Sequence, residues 1–229
     1  MELNADFSQR VAVHAAQLPW IPSPMAGVER RMLDRIGDEV ARATSIVRYA
    51  PHSRFSPHTH GGGEEFLVLD GVFQDEHGDY PAGSYVRNPP TTRHTPGSET
   101  GCVIFVKLWQ FDPNDRTEVR IDTGKAAFQP AVGRPGVEVL PLFRDEREDV
   151  RLERWAAEAR IELALPQGAE FLVLAGGFEE RGERFQEQSW LRLPARATLR
   201  ATAGAAGCEV WIKAGHLANV AGVAPRPAA

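Results

Sequence analysis

The chain has 229 residues, 42% hydrophobic and 25% charged, with a formal net charge of −5. That is an ordinary globular balance, long enough for one large β domain or two domains of roughly 100–150 residues. It lacks the clustered basic excess of a nucleic-acid binder. No run approaches the ~18 apolar residues of a membrane span, and residues 1–6 lack the charged start and apolar core of a signal peptide. The expectation is a cytoplasmic protein whose partners are neither nucleic acid nor membrane.

Residues 1–30 are weakly patterned. Residues 10–14 read as a short strand, and Pro19, Pro22 and Pro24 around Trp20 exclude a helix, so an extended arm is expected. Strand-like runs follow at 28–35 and 43–49, the second ending at Pro51. Next comes Pro57-His58-Thr59-His60-Gly61-Gly62-Gly63-Glu64-Glu65, opening a β-prone run to Gly71 and on through Val72-Phe73. On a strand, residues one apart share a face, so His58 and His60 point the same way. The three glycines let the backbone turn sharply and approach whatever the histidines hold. A polar turn at 75–79, a strand at 84–88 stopped by Pro89-Pro90, then His94 and a run over 102–109 complete the first half. Cys102 and Cys208 each sit in an apolar run and read as small buried hydrophobes, too few for a disulfide scaffold or a CxxC zinc site. The one segment with helical character lies within 144–159, where a strand is equally open for its end. The charge runs 144–148 and 179–184 read as solvated surface. The tail from Gly222 is Ala/Pro-rich and expected to fray.

The organising feature is an internal repeat. Glu65–Phe73 recurs at an offset of 105 as Glu170–Phe178, identical at seven of nine positions. The register continues: Ser84, Tyr85, Arg87 and Pro89 meet Ser189, Trp190, Arg192 and Pro194, and one inserted residue later Cys102 and Lys107 meet Cys208 and Lys213. This predicts an all-β protein of two duplicated domains, 1–115 with an extended amino-terminal arm and 116–229. The second copy loses the chemistry. Its counterpart of the histidine segment reads as a shortened 165–169, Glu64 becomes Ala169 and His94 becomes Leu199, so no metal is expected there.

His58, His60 and Glu64, joined by a distant His94, make up a three-histidine, one-carboxylate set suited to a divalent ion. His14, His52, His77 and His216 have no comparable companions, and solvent-facing roles are expected for His77 and His216. Tyr85, Arg87, Lys107 and Trp109 are candidates to line the first barrel.

The pattern His58-x-His60-x3-Glu64-x6-Gly71, then Tyr80-Pro81-Ala82-Gly83 and His94, resembles the two motifs of the cupin superfamily. Residues 55–88 more narrowly resemble the cupin domain of the ChrR anti-sigma factor group, which holds zinc; its relatives include acetylacetone-cleaving and dihydroxyacetophenone dioxygenases, which use iron. The resemblance covers residues 28–112 and implies two tandem cupin (jelly-roll) barrels packed together, the second degenerate. It places the metal ligands on His58, His60, Glu64 and His94. Glu65 is the competing carboxylate; Glu64 keeps the six-residue spacing to Gly71, and Glu65 recurs as Glu170 where no histidines survive. The implied cofactor is one divalent ion, zinc or iron(II), with manganese also fitting. Three functions follow. The first is a non-haem Fe(II)-type dioxygenase acting on a small diketone or phenolic ketone, with catalytic residues beyond the ligands unassigned. The second is a zinc-binding regulatory or sensor cupin with a protein partner. Residues 1–40 hold no cysteine and only His14, so the helical zinc domain that grips a sigma factor in that group is expected to be missing. The third is metal binding without catalysis.

Overall fold

A computed structural model describes residues 1–38 and 40–220; the expected frayed tail from Gly222 lies outside the described residues. The chain is all-β with two short 3-10 turns, and it divides into two units. Among the described residues the first comprises Met1–Ala5 and Leu18–Lys125, the second Asp6–Gln17 and residues 126–220.

The main sheet of the first unit runs, neighbour to neighbour, Glu2–Leu3, Val28–Gly37, Ala41–Tyr49, Cys102–Leu108, Glu64–Asp75, Ser84–Asn88 and Val119–Asp122. That of the second runs Gln129–Pro130, Val137–Arg144, Asp149–Trp155, Ala197–Ala214, Ala169–Glu180, Ser189–Leu193 and Val11–His14. From the second strand onward the two orders are the same. Each order ends on a strand that closes one edge by the same register, Val119 opposite Arg87 in the first and Val11 opposite Arg192 in the second. The division thus differs from the sequence-based one at two places. The strand Val119–Asp122 completes the first unit, and the amino-terminal strand Val11–His14 completes the second. Edge strands carry little of a core pattern, so neither allegiance is written in its own hydrophobicity.

The expected helix within 144–159 is absent. Asp149–Trp155 is a strand, with Val150 and Leu152 buried on one face and the paired charges sharing the other with the buried Trp155. Arg151 reaches both Asp149 and Glu153. Both faces of the strand carry buried residues, and the charges on one of them disguise the alternation. The two charge runs are not plain solvated surface either. Glu148 is buried against Lys213 at 2.9 Å, and Glu180 against Arg10 at 2.7 Å.

Alternation explains how one strand serves both core and site. Phe66 and Val68 face an apolar cluster with Phe73, Tyr80, Val86, Cys102, Ile104 and Val106. Even positions face it before Gly71 and odd positions after, because the ladder with Cys102–Leu108 slips at Val103/Ile104. Gly71 sits at that bulge with φ +70°, and a Cβ there would lie 2.1 Å from the Gly101 carbonyl oxygen. Only glycine fits. The parity switch puts Glu64 at one end of the strand and Asp75 at the other on the same face as the cluster, while Glu65 faces away.

Candidate metal centre

The strand His58–Thr59 pairs with Arg93–His94 so that His58 and His94 lie opposite each other. His60 is fixed one step on, where its N–H donates to the Thr92 carbonyl and its carbonyl accepts from Thr91. Glu64 opens the adjoining long strand opposite Asn88. One ligand atom from each of His58, His60, Glu64 and His94 lies within 4.8 Å of all the others. Three of the four residues are buried, and His58 is exposed.

The distances within this group are short for atoms of its kind. His60 Nε2 lies 3.2 Å from His94 Nε2, and Glu64 Oε2 lies 3.4 Å from each. The outer nitrogens determine what these inner ones carry. Thr92 Oγ1 donates its one hydrogen to the Pro89 carbonyl, so the contact with His60 Nδ1 at 2.9 Å needs a hydrogen on Nδ1. His94 Nδ1 faces the Asp75 carboxylate at 3.2 Å and donates to it. His58 Nδ1 turns to the Ser56 carbonyl at 3.4 Å. Each imidazole is thereby held as the tautomer that leaves Nε2 a bare lone pair.

Two bare nitrogens and a carboxylate oxygen facing one another repel unless a positive charge lies between them. A divalent ion bound at roughly 2.0–2.2 Å would set its neighbouring ligands about 3.0–3.5 Å apart, the spacing seen here. The donor set fits the group. The two buried rings shift in opposite directions. Burial lowers the His60 pKa, with the Glu64 charge opposing and the neighbouring rings assisting. At His94 burial pulls downward too, but the hydrogen bond to Asp75 and the Glu64 and Asp75 charges hold it above its ordinary value. Burial would raise Asp75, yet the His94 hydrogen bond and the His77 N–H keep its carboxyl below the usual range.

The two candidate carboxylates part company. Glu64 accepts from Asn88 Nδ2 at 3.3 Å and faces the histidines. Glu65, almost fully buried, accepts from Tyr85 Oη at 2.6 Å on the opposite face. Lys107 reaches Thr44 Oγ1, and Arg87 pairs with Asp115 at 2.7 Å across Phe111. Tyr85, Arg87 and Lys107 thus belong to a buried polar layer away from the histidines.

The glycines serve a different end from the expected one. A Cβ at Gly62 would lie 2.4 Å from the Trp109 ring, and one at Gly63, with φ +78°, 2.3 Å from Phe111. The Trp109 and Phe111 amides donate to the Gly63 and Gly62 carbonyls. The triplet makes room for an aromatic clamp on the back of the turn, and Trp109 packs there. Sequence reasoning also missed Asp75, Thr92 and Asn88, which orient the ligands. A turn acid beyond the bulge, at the parity opposite to Glu64, was the available signal for Asp75.

In the second unit the histidine segment has not shortened. Leu163 pairs with Leu199 as His58 pairs with His94, at an unbroken offset of 105. Leu163, Leu165 and Leu199 therefore stand where His58, His60 and His94 stand, with Ala169 at the place of Glu64. Leu165, Ala169 and Leu199 belong to the buried cluster, and Leu163 packs against it. His216 is not solvent-facing, as its Nε2 meets Glu170 at 2.9 Å with the side chain 5% exposed. His14 likewise has partners, Ser189 at 3.0 Å and Glu183 at 3.1 Å. Cys102 and Cys208 are buried, and burial pushes their thiols up to about 11 and about 12.

Residues 8–112 match the family model of the ChrR cupin-like domain. Among solved structures, a candidate dioxygenase from Nostoc punctiforme superposes with a TM-score of 0.76 at 16% identity, covering 96% of this chain and 88% of that one. Protein YlbA from Escherichia coli gives 0.69 at 13% identity, covering 92% and 93%. The bacterial pirin YhhW from Escherichia coli, in complex with nickel(II), gives 0.63 at 14%, covering 90% and 98%. At these identities the likeness is one of fold. No curated protein matches the chain in sequence. No helix among the described residues is long and apolar enough to cross a membrane.

Proposed function

We propose, from the cupin superfamily membership that residues 8–112 carry in their match to its ChrR-like group, that His58, His60, Glu64 and His94 hold one divalent ion serving a non-haem Fe(II)-type oxygenase. Its substrate is a small diketone or phenolic ketone. The observation that carries this reading is the set of imidazoles whose Nδ1 atoms face outer oxygens, with His60 and His94 Nε2 converging on Glu64 and one His58 nitrogen within 4.8 Å of the group.

When bound, the ion supplies Lewis-acid and one-electron chemistry toward a chelating substrate. The chain supplies the rest. Asp75 and Thr92 fix ring orientation and tautomer, and Asn88 holds Glu64 by its Oε2. Phe66, Phe73 and Tyr80 wall off the inner side with packed rings. Tyr49, between Phe55 and Phe73, is kept neutral because burial first, and the Glu64 charge second, push its phenol well up. His58, the exposed member, is on the side open to solvent, where a substrate would enter.

The test is O₂ consumption by iron-loaded protein across β-diketones and hydroxyacetophenones, with metal content measured on the same samples. Uptake by the wild type and none by His60→Ala is the expected result; flat traces from fully loaded protein would remove this substrate class. The ChrR-like match over residues 8–112 favours a second reading, a zinc-binding regulatory cupin with a protein partner. Full zinc occupancy in protein purified without added metal, together with a co-purifying partner, would support it.

A further inference from the structure

Beside the proposed centre lies a cavity of about 540 Å³, formed within the first unit by the segment from Asn88 to His94 and by residues 116–120. That volume is in the range of small-molecule sites, roughly 300–1,000 Å³. Two of its walls are the site's own residues, namely His94 and Asn88, the latter bonded to Glu64. The remaining charges are lopsided. Arg93, Arg116 and Arg120 all line the cavity, against the single carboxylate Glu118.

Glu118 is already committed to Arg120 at 2.5 Å, and Arg120 also donates to the Tyr80 hydroxyl at 3.1 Å. Arg116 donates to the Pro113 and Asp115 carbonyls, neutral acceptors that leave its charge uncompensated. Arg93 is exposed and forms no ion pair among the described residues. It stands next to His94, on the strand that carries that ligand. Two guanidiniums without counter-charges thus line a small-molecule cavity that has a metal ligand in its wall. Guanidinium forks favour carboxylate over neutral oxygen by charge-assisted, paired hydrogen bonds.

Building on the proposed metal centre, we infer that the substrate is an anionic ketone, a diketone bearing a carboxylate, whose acid group is held by Arg93 and Arg116. The pair acetylacetone and acetylpyruvate tests this directly, because the second is the first with one terminal methyl replaced by a carboxylate. Each is titrated into the metal-loaded protein without oxygen, by calorimetry, with metal content measured on the same samples. Acetylpyruvate should bind about tenfold tighter or better, the scale of one charge-assisted hydrogen bond. The margin should shrink in roughly 1 M salt, where screening reaches ~3 Å. The double variant Arg93→Glu, Arg116→Glu should abolish the preference and leave metal content unchanged. Equal binding of the two ligands, binding of neither by metal-loaded protein, or a preference that survives the charge reversal overturns the inference. Protein that takes up no metal overturns the metal reading as well, and metal content tells the two failures apart.

Discussion

The strand Glu64–Asp75 and its counterpart Ala169–Glu180 share a twelve-residue length, a glycine bulge and the same first seven burial classes. Both bury a glutamate at the second position, opposite an arginine on one neighbouring strand and a lysine on the other. Glu65 takes a hydrogen bond from Tyr85, and Glu170 takes one from Trp190. The differences that remove the chemistry lie on the face toward the site. Three imidazoles give way to three leucines, Glu64 to alanine, and its partner Asn88 to Leu193, opposite Ala169. A ligand and the residue orienting it have changed together. The comparison separates a scaffold that both copies need from chemistry that one copy carries.

Exchanging residues between the copies breaks the comparison most severely in the metal-free one. Leu199→His places an imidazole at a fully buried apolar position and removes a leucine from the core, with an expected cost of about 3–5 kcal/mol in urea denaturation. His94→Leu in the first unit should lower the stability of metal-free protein far less, because it removes one of two facing lone pairs. Next in size is the shared carboxylate. Glu65→Ala removes the carboxylate that accepts from the Tyr85 hydroxyl in a buried layer and should cost about 2–3 kcal/mol, yet leave metal content intact. Glu64→Ala should show the opposite pattern.

Sharper still is the partner that only the first copy needs. Asp75→Asn keeps size but loses the charge that steadies His94, and metal affinity should fall about 10–100-fold with little change in unfolding. A chelator competition measures it. The smallest effect concerns the turn. Gly62→Ala should cost about 1–2 kcal/mol by displacing Trp109, and Trp109→Ala in the same chain should relieve part of it. An additive loss would refute the clamp.

Much of this was legible in the sequence. The spacing of His58, His60 and Glu64 on alternating backbone, with a repeat that keeps Glu65 and discards its neighbours, led to the residues the structure brings together. What escaped notice depends on pairing between distant segments. Val11–His14 completes the second unit through backbone hydrogen bonds, which its side chains do not announce. The strand Asp149–Trp155 was masked because one of its faces carries charges that pair with each other beside a buried tryptophan. Leu199 is legible as the counterpart of His94, but Leu163 and Leu165 escaped as those of His58 and His60 because 165–169 reads as a shortened segment, whereas Leu163 keeps its register with Leu199. Asp75 shares the face of Glu64 only because a bulge inverts parity between them.

The central claim is that one copy holds an ion where the other holds leucines. Elemental analysis of protein purified without added metal, beside a His60→Leu, His94→Leu variant shown by circular dichroism to be folded, tests it most directly. The account predicts one equivalent of a divalent metal per chain in the wild type and none in the variant. A folded variant that retains its metal, or a wild type that takes up none even when zinc, iron(II) or manganese is supplied, would contradict it.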